Sequence, residues 1–316
     1  MATTITKTIK SSGGDYTTVA AWEAAQQGDL VALDEIHVGE IYDVNTTAVL
    51  TINGSTTDAT RYMVMTVNSA NRHAGKWDTA FQNFQAGSTD AIIINSDDYT
   101  RISWVQVKNT HATSGGSAIK SSNTGTYIEQ VICTGTAGSF NHGIELTSTA
   151  TNCVLTNIVV HGCHNGISAS TGTGTVISNC ATVANRRAGI SSSSAAALAV
   201  KNHYSGGNTT FNYAEGGSAN ISSWTFTTSM SSNTESTESG LTNSIAYSTA
   251  NFTNVTAASE DLHLVTGSAL IDVGTDLSGS FTIDIDGVTR TGTWDVGADE
   301  YVTVGGGNPY YAYAQQ

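Results

Sequence analysis

The sequence predicts an all-β protein, a parallel β-helix or solenoid, and three observations carry that prediction. First, the segments HGIELTS, NGISAST and AGISSSS place Gly143-Ile144, Gly166-Ile167 and Gly189-Ile190 in phase, at one constant spacing, with looser members at Ile92 and Ile119 before them. Second, another strand family repeats between them. ISWVQV, YIEQVI, VLTNIVV, VISNCATV and LAVKNHY, anchored on Val105, Val131, Ile158, Cys180 and His203, recur at nearly the same period. The same series is expected to continue at Trp224 and Ile245, in two slightly shorter and equal steps. Third, the 316 residues include 35 Ser, 48 Thr, 32 Gly and 23 Asn but a single proline, Pro309. Short β-branched runs bounded by Gly, Ser and Asn read as strands. Two strand families repeating together make each repeat one coil. A coil cannot bury its apolar face alone, so coils stack and each strand pairs with its equivalents above and below. Interior strands need every N–H, which keeps proline out.

The elements follow in order. Residues 1–13 read as an N-terminal arm. Residues 14–30 form the one helical segment, with Thr17 or Thr18 as N-cap, Val19 and Trp22 on one face, and Gly28 at its end. Such a helix covers the open core of the first coil. Some ten coils follow, with Ile, Val, Leu, Ala and Cys inward, Ser and Thr outward, and Gly and Asn at corners that need left-handed backbone. Residues 227–240 read as a polar loop leaving the rod. At the far end, FTIDIDGVTRTGTWDVGADEYV reads as a closing β motif around a turn at Asp286-Gly287. Residues 14–302 thus make one domain, followed by a Gly/Tyr-rich tail over 303–316.

Charge narrows the function. Net charge is −14, and from residue 207 onward there are twelve acids and one base, Arg290. Such a surface repels phosphate backbones, so nucleic acid is not an expected partner. No window approaches the run of about 18 apolar residues that marks a membrane span, so no membrane insertion is expected. The N-terminus has no apolar signal-peptide core. Cys133, Cys153, Cys163 and Cys180 form no C-x-x-C pair and read as buried thiols. His161 and His164 flank Cys163, but no second ligand cluster exists, so neither metal nor cofactor is expected.

GDYTTVAAWEAAQQGDLVAL followed by HVGEIYD resembles the opening of pectate-lyase-like right-handed β-helix proteins. DLHLVTGSALIDVG and DIDGVTRTGTWDVGADEY resemble the closing motif of bacterial and phage members, with Ala269-Leu270 in place of the usual Pro-Ala. The N-terminal style is similar to β-helix proteins from phage structural regions. The resemblance implies a right-handed helix with a short N-terminal capping helix and a C-terminal β closing motif. It also implies a non-enzymatic virion component, a head decoration, fibre or spike. Its expected partners are further copies of itself, in trimers for example, and other virion proteins.

The alternative is a carbohydrate-active enzyme, lyase or hydrolase. Aligning the Gly-Ile pairs stacks Asn141, His164 and Arg187 in one column, with His142 beside it and Glu145 projecting from the same strand. His142, Glu145, His164 and Arg187 are therefore the candidate catalytic set, against a polar corner ladder as the plainer explanation. Two-carboxylate hydrolysis finds little support, because Glu129 and Glu145 lie on different strand families. Asp97 and Asp98 read as turn residues; Asp284, Asp286, Asp295, Asp299 and Glu300, by their place in the closing motif, read as structural turns, with a bound cation as an option, rather than as catalytic acids. A third reading is a glycan-binding adhesin facing a cell-surface glycan. Exposed aromatics along one coil face would mark it, and the sequence shows no such row. Tyr310, Tyr311 and Tyr313 in the tail are the expected contacts to a neighbouring subunit.

Overall fold

A computed structural model describes residues 1–112, 115–136, 141–170, 173–193, 196–219, 221–233 and 238–302. Tyr310, Tyr311 and Tyr313 lie outside the described residues. The chain forms a parallel β-solenoid. One sheet follows a ladder of ten parallel strands, from Thr3–Ile9 and Glu35–Ile41 through Tyr127–Gly135 and Val154–His161 to Leu241–Thr242. At about 4.8 Å per strand this is a rod roughly 45 Å long. A second sheet of seven strands runs from Leu50–Ile52 to Phe211–Glu215.

The Gly-Ile repeat is the spine of the second sheet. Ile93, Ile119, Ile144, Ile167 and Ile190 pair in register, with Leu50 before and Tyr213 after. The ladder position is Ile93 rather than Ile92, one place on from the sequence expectation. All seven side chains are buried. The glycines serve closeness, not a special backbone angle: a Cβ on Gly166 would stand 2.5 Å from the Gly189 carbonyl oxygen.

Left-handed residues punctuate the first sheet at intervals of five. Asn152, Asn157 and Gly162 have φ of 52°, 51° and 67°; Gly174, Asn179 and Ala184 have 74°, 47° and 50°. Each turns the chain through a corner while the residues on either side keep their ladder partners, as Glu129↔Thr156 and Val131↔Ile158 do around Gln130 and Asn157. Asn tolerates this conformation because its short side chain bonds locally. Trp104, at φ 63°, occupies the same corner two coils before Asn157. A bulky residue there is a backbone outlier, at a cost of about 1–3 kcal/mol.

The interior holds the aliphatic columns and all four cysteines, which are free and buried. Burial pushes the Cys180 thiol up to about 12, so it stays protonated. At the N-terminal end, helix α1 (Val19–Gln26) is capped by Thr18, whose hydroxyl accepts from the Ala21 N–H. Val19 and Trp22 are buried as expected. Gly39 makes room: a Cβ there would lie 2.5 Å from the Trp22 ring. A short second helix, α2 (Leu30–Leu33), follows α1. The segment read as an arm supplies the strand Thr3–Ile9, paired along its length with Glu35–Ile41. At the other end, Tyr213, Trp224 and Phe226 pack ring to ring within 6.3 Å and close the core.

Three expectations for the C-terminal third need correction. The partner of Tyr204 is Met230, so the coil after His203 is longer than the expected step to Trp224, and Trp224 belongs to the preceding strand column. Ser192 pairs with Glu215 but Ala199 with Thr225, so three extra residues between these two ladder positions cause the shift. Ile245 is not a coil anchor. Part of the supposed loop 227–240 is the strand Ser229–Ser231, which pairs with Tyr204–Gly206. Finally, the closing motif does not sit at the rod's end. It runs back along one flank, over the Asn corners. Asn157 Nδ2 donates to the Ile283 carbonyl, Asn179 Nδ2 to those of Asp295 and Gly297, and Asn202 Nδ2 to that of Thr275. The outward side chains Ile132, Val159, Ala181, Tyr204 and Met230 thereby gain a cover of Leu262, Leu264, Leu270, Ile285 and Val296, a second apolar core. The turn at Asp286-Gly287 is present, with Gly287 at φ 89° and an Ile283↔Thr289 bridge.

Candidate functional site

The structure brings the four sequence-selected residues together. The backbone N–H of His164 donates to the Asn141 carbonyl, and that of Arg187 to the His164 carbonyl, so the corner column exists as aligned. The His142 and His164 rings lie 6.0 Å apart. Burial, then His142 and the arginines, pushes His164 down to about 4, and burial lowers His142. Both imidazoles are neutral at pH 7. Glu145 accepts a 2.6 Å hydrogen bond from the Ser117 hydroxyl, and Arg187 donates to Asn165 Oδ1 at 3.4 Å.

Two concave features lie elsewhere. The larger is a cleft of about 550 Å³ at the Trp104 corner, lined by Arg72, His73, Phe81, Trp104, Ile283 and Asp286 among others. Three distant segments build it: the loop after Met63–Val67, the corner itself, and the returning hairpin. The Arg72 guanidinium lies 4.3 Å over the Trp104 ring. His73 Nε2 lies 2.9 Å from the Gln130 carbonyl, and burial pushes its pKa down to about 4, so the neutral ring donates there.

Under this cleft lies a buried charge cluster. His263 Nδ1 is 2.5 Å from Asp261 Oδ1, and its Nε2 is 3.6 Å from Asp286 Oδ2. Lys76 pairs with Asp261 at 3.1 Å. Asp284, fully buried, accepts from the backbone N–H groups of Asp286, Val288 and Glu300. Burial and the neighbouring Asp286 carboxylate push its pKa upward. Asp295 takes the N–H groups of Asp272 and Tyr301, and Asp299 that of Leu264. These acids thus hold turns, as the sequence reading expected. Asp97 and Asp98 do likewise, accepting from the backbones of Ser55 and Thr124.

The smaller feature is a groove of about 160 Å³ along the outer face of the first sheet, lined by Tyr62, Tyr99, Arg101, Thr124, Gly125, Tyr127 and others. The Arg101 guanidinium lies 4.1 Å from the Tyr62 ring and 4.8 Å from the Tyr127 ring, between successive coils. Its Nε is buried without a hydrogen-bond partner, and among the described residues no carboxylate lies within ion-pair distance of it. Tyr99, at φ 54°, lies over Gly125, where a Cβ would stand 2.5 Å from its ring. Tyr62, Tyr99 and Tyr127 thus line one coil face, half-buried rather than exposed, a grouping that the sequence did not show. The step from Tyr62 to Arg101 is half as long again as the step from Arg101 to Tyr127, and this irregularity hides the row. The first of these coils carries the inserted loop that builds the Trp104 cleft.

Comparison with known proteins adds little. No protein-family model matches the chain, and no curated protein matches it. Among solved structures it is similar to the pectin methylesterase from Aspergillus niger in deglycosylated form, with 12% identity, a TM-score of 0.42, and coverage of 77% of this chain and 92% of that one. The penultimately deglycosylated form of that protein gives a TM-score of 0.41 at 12% identity, covering 76% and 89%.

Proposed function

We propose that this chain is a carbohydrate-binding β-helix whose ligand is an acidic glycan held in the groove around Arg101. The observation that carries the reading is a guanidinium stacked between two tyrosine rings with no carboxylate within ion-pair distance among the described residues, the Glu129 carboxylate acting on it only from further away. Tyrosine faces take the C–H face of a sugar ring, and a planar guanidinium pairs a carboxylate in two hydrogen bonds. Arg61, Lys76 and Lys120 are paired with Asp58, Asp261 and Asp90, and Arg101 is the basic residue among those lining the groove. A groove this small holds about one sugar unit, so single-site affinity is weak and repetition supplies the rest. In the virion setting that the sequence resembles, the ligand is a host-surface glycan and the repetition a homo-oligomer.

The test is binding of the full chain to a panel of acidic and neutral oligosaccharides by calorimetry. Acidic sugars bind, affinity falls with added salt, and Arg101→Ala loses about 10–100-fold, as expected for a charge-assisted contact of about 1.5–3 kcal/mol. Retention of neutral sugars alone, or an unchanged Arg101→Ala, rejects the reading. A second reading, a carbohydrate-active enzyme, is favoured by the assembly of His142, Glu145, His164 and Arg187 on the second sheet. Unsaturated or reducing products from the same panel, lost in His142→Ala, would establish it.

A further inference from the structure

The cluster beneath the Trp104 cleft has features that hydrogen bonding within the protein does not account for. We propose that His263, Asp286 and Asp299 form a binding site for a divalent transition-metal ion of the zinc or manganese class. One ligand atom from each residue lies within 4.8 Å of the others. The His263 Nε2 to Asp286 Oδ2 separation, 3.6 Å, is long for a hydrogen bond. It matches the roughly 3.3–3.6 Å between two ligands each about 2.0–2.2 Å from a tetrahedral ion.

Three further observations point the same way. The Asp286 carboxylate shares a hydrogen bond with the Asp284 carboxyl, and beyond that its Oδ1 is buried with no N–H or hydroxyl donor among the described residues, an arrangement that a positive ion relieves. The far ring nitrogen of His263 faces the Asp261 carboxylate at 2.5 Å. Metal-ligating imidazoles characteristically give their other N–H to a carboxylate, which fixes the tautomer and turns Nε2 towards the ion. Gly75 leaves space beside that nitrogen: a Cβ there would stand 2.6 Å from Nε2.

Charge and access also fit. Lys76, Arg290 and His263 face the carboxylates of Asp261, Asp286, Asp299 and Glu300, so acids outnumber cations and a divalent ion adds positive charge where it is short. Asp286 lines the cleft, which gives the ion a way in. An imidazole with carboxylates selects borderline ions over calcium or magnesium, which prefer oxygen alone.

The experiment titrates the metal-stripped full chain with ZnCl2 and MnCl2, followed by calorimetry and by metal content after gel filtration. One ion per chain binds with release of a proton from the imidazole, and affinity falls about tenfold per pH unit on acidification while His263 is protonated. Asp286→Asn lowers affinity at least 100-fold. Cobalt substitution serves as the second measurement, since its visible bands report an imidazole–carboxylate site and change in Asp299→Asn even where stability also changes. No saturable binding by the wild type overturns the proposal. So does equal binding by a folded Asp286→Asn, or cobalt bands indifferent to both substitutions.

Discussion

Arg290 knits the returning hairpin together and, through Asn157, joins it to the rod, and its removal is an informative test of the fold. Its side chain is fully buried. It donates to Glu300 Oε2 at 3.1 Å, Asn157 Oδ1 at 2.9 Å, and the carbonyls of Gly297, Ala298 and Asp299 at 3.3, 2.7 and 3.3 Å. Arg290→Met strands the Glu300 carboxylate with only the N–H groups of Thr291 and Asp295. Breaking a buried pair in this way costs about 3–5 kcal/mol. At about 2.1 cal/mol/K per residue over 316 residues, roughly 1.5 °C per kcal/mol, the melting temperature falls by about 4–8 °C. The loss is local first: hydrogen exchange rises over 282–300 and at the Asn157 corner while the Ile144–Ile167–Ile190 ladder stays protected. Asn157→Gly keeps the left-handed corner but removes both the acceptor for Arg290 and the donor to the Ile283 carbonyl; a double-mutant cycle with Arg290→Met separates the Arg290–Asn157 coupling, expected at about 0.5–3 kcal/mol, from the lost Ile283 bond. A stability loss below about 1 kcal/mol, with flank protection unchanged, would refute the account of the flank as a stapled second core.

Acid should loosen the cleft. His73 is neutral when folded, with its pKa lowered from 6.5 to about 4, so its contribution is complete above pH 6.5 and is lost as pH falls towards 4, on the order of 3 kcal/mol. His73→Gln, which can keep a donor to the Gln130 carbonyl, flattens the stability profile in that window; an unchanged acid limb in urea unfolding would count against the assignment. Gly166→Ala forces a methyl against the Gly189 carbonyl oxygen and costs about 1–3 kcal/mol in the same assay, whereas a neutral result would show that the corner can yield. Gly125→Ala, strained at φ 66° and driven into Tyr99, costs about 1 kcal/mol or more and weakens acidic-sugar binding; full affinity would remove Tyr99 from the groove.

Local repetition made the rod legible. The in-phase Gly-Ile pairs set the second sheet, and Asn157, Asn179 and Gly162 advertise left-handed corners by residue type alone. The alignment that placed His142, Glu145, His164 and Arg187 together needed only that period. Where coils vary in length, the signal fails. The insertion after Val67 hides the Tyr62–Arg101–Tyr127 stack. An insertion before Trp224 shifts the last coils by several positions. Trp104 at a left-handed corner defies residue preference, and only tertiary packing sustains it. The triad of His263, Asp286 and Asp299 is too widely and unevenly spaced to match any ligand motif, because a hairpin and a strand meet there in space. Sequence order suggests that the flank sits at the rod's end. The apolar outer face at Ile132, Val159 and Ala181, which calls the flank back, looks like any other strand until inward and outward positions are known.

The returning flank also sets an order of events during synthesis. Each coil stacks on a partner one repeat away in the chain, as Tyr127 does on Val154 and Val154 on Val176, so the rod can grow as the chain emerges. The staples are of another scale: Asn157 to Ile283 spans 126 residues, Asn179 to Asp295 spans 116, and Lys76 to Asp261 spans 185. Such closures come late. Until then the stripe of Ile132, Val159, Ala181, Tyr204 and Met230 faces water on an otherwise finished rod, a sticky surface awaiting its own C-terminus. A truncation before residue 261 would leave that stripe permanently open and turn an intramolecular cover into an invitation for neighbouring chains.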